Sequence, residues 1–119
     1  MFVKNLMSCS EFTANDGCRI RELLHPKNES VDLPYSLAVA RVAVGGGSYR
    51  HRLAQQEVYY IMHGKGVMHI NSESREVTAG DVIHIPACAE QWIVNTGEVE
   101  LEFAAIVSPP WRAEDDIRL

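Results

Sequence analysis

Between residues 48 and 107 the chain breaks into short runs of β-branched, aliphatic and aromatic residues. They fall at about 48–53, 57–62, 66–71, 74–77, 81–86, 90–95 and 99–107, with Gly, Asn and Ser between them. Runs this short and this evenly spaced leave no room for helices and read as an all-β sandwich or barrel. In the last run Val99, Leu101, Phe103 and Ala105 point to one side and Glu100 and Glu102 to the other. That is the two-residue period of a strand with one face buried. A further β-rich segment opens at Pro34 and runs to Val44, and Gly45-Gly46-Gly47 closes it with a bend.

At 119 residues the chain makes one domain. The strand-rich part, about 36–107, forms the core, flanked by an N-terminal arm (1–35) and a C-terminal tail (108–119). In the arm, Asn15-Asp16-Gly17 is a turn signal. Cys18 to Leu24 alternates weakly, as an edge strand does, and His25 to Ser30 is a loop. Pro109-Pro110 ends the sheet. The acidic tail beyond reads as loose or short-helical, with Trp111 capping the barrel or its partner.

The net charge of −5 argues against nucleic acid, which requires a clustered basic surface. No apolar run approaches the roughly 20 residues of a membrane span, and the N-terminus lacks the apolar block of a signal peptide. Cys9, Cys18 and Cys88 are odd in number and form no short-spaced pair, so they read as reduced packing residues. A cytoplasmic location is the expectation.

Two spaced sets of residues carry the chemistry. The first is Gly45, His51, Leu53, Glu57 and Gly64; the second is Gly80, Pro86, Cys88, Gln91 and Asn95. Fifteen residues separate them. Together they resemble the paired motifs of the cupins, here over residues 36–107. In that family the first motif commonly reads Gly, His, His, Glu, Gly and the second Gly, Pro, Gly, His, Asn, at these same spacings. Leu53 and Gln91 stand where histidines are usual, and Cys88 where a glycine is.

The resemblance implies a double-stranded β-helix, a jelly-roll-like barrel. It also implies that His51, Glu57 and Gln91 occupy three of the four usual metal-ligand positions. Imidazole, carboxylate and amide donors suit a divalent Zn, Fe, Mn or Ni ion. Leu53 supplies no donor, so a fourth ligand would come from Gln55, from His25 or from water. The competing reading is a metal-free lumen in which His51, Glu57 and Gln91 hydrogen-bond one another, leaving a binding or structural module. In the enzyme version, cupin chemistry would be that of an oxygenase, isomerase or decarboxylase acting on a small polar molecule, with Glu57 as a general base if it is not coordinated. Gln55 and Gln56 are expected at the cavity mouth. Tyr59 and Tyr60 are expected as core aromatics, and His63, His69 and His84 as structural or surface residues.

Alternation in the strands also bears on assembly. Glu57, Tyr59 and Ile61 share one side of their strand; Val58, Tyr60 and Met62 share the other. With the first set facing the lumen, a patch of Tyr60, Met62 and Trp92 is too apolar for water. It calls for cover by the N-terminal strand or a second subunit. A homodimer is the expectation.

Overall fold

The computed structural model describes residues 1–119, and almost every expected strand is present. In chain order these are β1 (Glu11–Thr13), β2 (Arg19–Leu24), β3 (Ser36–Val42), β4 (His51–Leu53), β5 (Gln56–His63) and β6 (Lys65–Ile70). They continue as β7 (Glu73–Thr78), β8 (Val82–Ile85), β9 (Glu90–Asn95), β10 (Leu101–Ser108) and β11 (Asp116–Arg118). Two antiparallel sheets face each other: β1-β2-β3-β10-β5-β8 and β11-β4-β9-β6-β7. None of the helices is long and apolar enough to cross a membrane.

The inward faces follow the two-residue period. Leu101, Phe103 and Ala105 of β10 are buried, as are Tyr59 and Ile61 of β5, Ile85 of β8 and Ile93 of β9. Each such large apolar side chain contributes about 1.5–3 kcal/mol on burial. Val99, expected on that same face, lies just before β10 and is half exposed.

The two ends of the chain depart from the expectation. β2 is not an edge strand, because β1 pairs outside it, Phe12 opposite Ile20. The tail is neither loose nor simply helical. After a single 3-10 turn at Ala113–Asp115 it enters the second sheet as β11, pairing Asp116 with Leu53 and Arg118 with His51. Acidic composition gave no hint of this pairing, since the strand is stabilised by its neighbour rather than by its own residues.

The expected apolar patch also divides. Tyr60 and Met62 lie on the outer face of the first sheet, whereas Trp92 lies on β9 in the second. There Trp92 stacks on His69 with ring centroids 4.3 Å apart, and Arg50 covers it. His84 and His63 are exposed, as expected.

Candidate functional site

The inner face of the barrel gathers polar side chains at one end. Here a cavity of about 60 Å³ is bounded by Asp16, Glu22, His51, Glu57 and Asp116 on its polar side, and by Phe12, Ile20, Leu53, Tyr59, Val107 and Trp111 on its apolar side. That space holds on the order of four waters, or a molecule of a few heavy atoms.

His51 leads β4 and is 3% exposed. Its Nδ1–H donates to the carbonyl of Tyr49 at 2.7 Å, so the lone pair resides on Nε2. Nε2 has no hydrogen bond; its nearest charged neighbour is Asp16 Oδ2 at 3.8 Å. The same Tyr49 fixes Asp16, donating its backbone N–H to the Asp16 carbonyl at 2.6 Å. Asp16 Oδ1 accepts from the Cys18 N–H at 2.9 Å, which closes the Asn15-Asp16-Gly17 turn. One backbone segment thus positions both members of the imidazole–carboxylate pair.

Glu57 sits on β5 and Gln91 on β9, directly opposite His51. Gln91 Nε2 donates to Glu57 Oε1 and Tyr59 Oη donates to Gln91 Oε1, both at 3.2 Å. Burial pushes the Glu57 carboxyl up to about 8. The Gln91 hydrogen bond pulls it down, and the charges of Asp16 and Asp116 push it up again. At neutral pH Glu57 is therefore mainly a proton donor; the role of general base is open to it only above that range. Burial likewise holds the Tyr59 hydroxyl well above its ordinary value.

Asp116 arrives on β11. Trp111 Nε1–H donates to its Oδ2 at 3.2 Å, while its Oδ1 is buried without a partner. Its carboxyl is raised by burial, against the opposing pull of His51 and of the Trp111 hydrogen bond. Trp111 is anchored through its backbone. Its N–H donates to Ser36 Oγ at 2.9 Å, and its carbonyl accepts from His25 Nε2 at 2.8 Å.

Of the expected metal ligands, the structure brings His51 and Glu57 to the cavity wall. Gln91 lies behind them, giving its oxygen to Tyr59 and its NH₂ to Glu57. Leu53, 2% exposed, fills the missing histidine's place with an apolar surface. Gln55 turns away, donating to Asp115 Oδ2 at 2.6 Å. His25 spends both ring nitrogens, Nδ1 accepting from the Lys27 N–H and Nε2 donating to Trp111. Neither of these two extra candidates reaches the cavity. No three His, Cys, Asp or Glu side chains converge on one point. The donor set does not fit the four-ligand centre that the resemblance implies. Gln56, also expected at the cavity mouth, is exposed with its Oε1 3.2 Å from His84 Nε2 and does not line the cavity.

Asp16 and Asp116 had no signal in the sequence as site residues. One is a turn residue and the other part of an acidic tail, and only the fold brings them to His51. Cys88 is exposed with φ +64°, the left-handed conformation that explains the glycine usual at this position in the motif. Burial drives the Cys18 thiol far up, which makes it an inert packing group.

Comparison with known proteins agrees with this architecture. The chain is 40% identical over 105 residues to the uncharacterized protein MJ1618 of Methanocaldococcus jannaschii, covering 87% of this chain and 83% of that one. It is 38% identical over 61 residues to an oxalate-binding protein of Thermotoga maritima, about half of each chain. The crystal structure of a predicted oxalate decarboxylase from Thermotoga maritima superposes with a TM-score of 0.79 at 24% identity, covering 91% of this chain and 99% of that one; this likeness concerns the fold. The cupin domain model matches residues 38–107, and the chain belongs to the cupin family.

Proposed function

We propose that this cupin binds a small polar molecule in its lumen and supports proton transfer on it. His51 Nε2 is the acceptor and Glu57 the donor near neutral pH. The observation that carries this reading is the free Nε2 of a nearly buried imidazole, fixed by a backbone carbonyl and aimed into a cavity that Glu57 also lines. Acid and base of separated character in one small pocket suit proton-transfer chemistry such as isomerisation. Gln91 orients Glu57 from behind, as a positioning residue. Binding of a small molecule is also what the name of the Thermotoga maritima oxalate-binding protein states of that relative.

An NMR titration with a library of small polar compounds tests the reading. Ligands should perturb the His51 ring signals together with the backbone amides of Leu53, Glu57 and Tyr59, and His51→Ala should abolish the amide perturbations while leaving the spectrum folded. Perturbations that persist in His51→Ala would place binding elsewhere and overturn it.

A second reading retains a divalent Zn, Fe, Mn or Ni ion, held by His51 and Glu57. It is favoured by the His51 geometry, since metal-bound imidazoles give their other N–H to a carbonyl in this way. Elemental mass spectrometry of tag-free protein separates the two. Substoichiometric metal, with a melting temperature indifferent to chelator, is expected. One equivalent that disappears in His51→Ala would establish the metal centre instead.

We propose also that the protein is a homodimer, joined through the outer face of the first sheet. Val58 pairs with Ile106, and Tyr60 pairs with both Ala104 and Val82, which makes one continuous apolar surface. Tyr60 is 49%, Val82 69% and Ile106 39% exposed. The N-terminal segment at Leu6 and Met7 lies beside Arg21, Val39 and Arg41 at the β2–β3 side of this face, while Tyr60 and Val82 at the β5–β8 side stay exposed, which favours a second copy as their cover. Light scattering at micromolar concentration should give about twice the 13.3 kDa chain mass, and Tyr60→Lys should shift the mass toward monomer. A monomeric wild-type mass would rule out the dimer.

A further inference from the structure

The charge on the cavity wall identifies the kind of molecule that fits. Carboxyl groups from Asp16, Glu22, Glu57 and Asp116 line the cavity, and His51 is the only basic side chain among the lining residues. Glu22 is neutralised from outside by Lys27, whose Nζ lies 3.6 Å away. Asp16 and Asp116 remain, facing one imidazole, so the wall is negative whether His51 is neutral or charged.

The hydrogen-bond inventory is equally one-sided. With Nδ1–H committed to Tyr49, a neutral His51 offers Nε2 as a lone pair, and Asp16 Oδ2 stands opposite it at 3.8 Å. Two acceptors in that position have nothing to exchange unless a donor sits between them. Asp116 Oδ1 has no partner either and is sealed within the wall, where its charge is felt. His51 and Asp16 both line the cavity, where a ligand's donors can take the place of water.

We infer that the ligand is a small organic cation, a primary ammonium on a short apolar chain, hydrogen-bonded by Asp16 and His51 beside the Asp116 carboxylate, with Leu53 and Trp111 against its apolar part. This deepens the proposed function and rests on its reading of the lumen as a binding site. A primary ammonium can donate to His51 Nε2 and Asp16 Oδ2 together, while the Asp116 carboxylate adds negative charge to the same wall. Charge-assisted bonds are the strong kind. Leu53 then has a positive role: where a metal centre takes a second histidine, this chain presents apolar surface to the ligand's carbon chain. Small dicarboxylates such as oxalate are excluded by the same charges.

The test is an isothermal titration of chelator-treated protein with three probes of nearly equal size: propylammonium, 1-propanol and propionate. Oxalate and Zn²⁺ are titrated alone in parallel. Propylammonium should bind at least about tenfold tighter than 1-propanol, with no detectable binding of propionate or oxalate. Asp116→Asn and Asp16→Asn, which keep shape and one acceptor oxygen, should each weaken propylammonium by about ten- to a hundredfold. Either anion or the alcohol binding tighter than the ammonium, in a manner lost in His51→Ala, would overturn the cation assignment and leave the lumen standing as a binding site. Zn²⁺ binding without ammonium binding would overturn it in favour of the metal centre. Binding of none of the probes, or binding unchanged in His51→Ala, would overturn both the assignment and the lumen reading.

Discussion

Raising the pH from 5 to 9 is expected to destabilise the fold, and Glu57→Gln is expected to remove most of that dependence. The Glu57 carboxyl ionises near 4.5 in an unfolded chain and near 8 in the barrel, chiefly because burial disfavours the charge. Between those values the native state binds a proton that the unfolded state has released, so unfolding becomes easier as pH rises. The contribution is complete below about 4.5 and lost as pH passes through about 8. The separation is equivalent to roughly 5 kcal/mol, an upper figure because carboxyl charge in a small cavity draws in water. Asp116, also raised by burial, adds a slope of the same sign at the acid end. Urea midpoints at pH 5, 7 and 9 provide the measurement. Glutamine keeps an acceptor for the Gln91 amide and cannot ionise, so its midpoints should be nearly level. A wild-type profile as level as that of Glu57→Gln would show that the carboxylate is solvated and would remove the proton donor from the proposed function.

How far the site was legible in the sequence depends on where each residue draws its position from. His51, Leu53 and Glu57 are set by strand alternation and by a turn between adjacent strands, both local properties, and all three reach the lumen. Gln91 was legible as a lumen-side residue. The direction of its amide was not, because Tyr59, 32 residues away, decides it. Asp16 and Asp116 were invisible for a different reason. Each reaches His51 through a segment that pairs with the middle of the chain: Asp16 through the Tyr49 backbone, Asp116 through β11 beside β4. Nothing in a turn tripeptide or an acidic tail encodes such pairings. The second sheet makes the same point, since its edge strand β11 is recruited from a tail with almost no intrinsic preference for β structure. Trp92 was assigned to the wrong patch because alternation gives the face of a strand but not which sheet the strand joins.

Asn95 carries the other large expected effect, and it explains why its place in the second motif matters to the fold. It closes β9 and is 2% exposed. Its Nδ2 donates to the carbonyls of Val42 at 3.0 Å and Val99 at 2.9 Å, and its Oδ1 accepts from the Gly97 N–H at 2.9 Å. The side chain therefore ties the end of β3 in one sheet to the turn that carries the chain from β9 in the other sheet into β10. Asn95→Ala removes the side-chain partner of the buried Val42 carbonyl and of the part-buried Val99 carbonyl and Gly97 N–H. At about 1–3 kcal/mol for the buried carbonyl and less for the two part-buried groups, the loss should be on the order of 2–5 kcal/mol, a large fraction of the stability of a domain this size. A packing explanation would predict that the near-isosteric Asn95→Asp is mild. The hydrogen-bond explanation predicts the opposite. An ionised carboxylate has no donor for Val42 and Val99 and sets negative charge against both oxygens, so Asn95→Asp should be at least as damaging as Asn95→Ala at neutral pH. Acidification restores one donor and should recover part of the loss. Denaturation of the two variants at pH 7 and pH 4, each against wild type, distinguishes the explanations. A mild Asn95→Asp at pH 7 would assign the motif asparagine to packing and leave the join between the two sheets to the backbone alone.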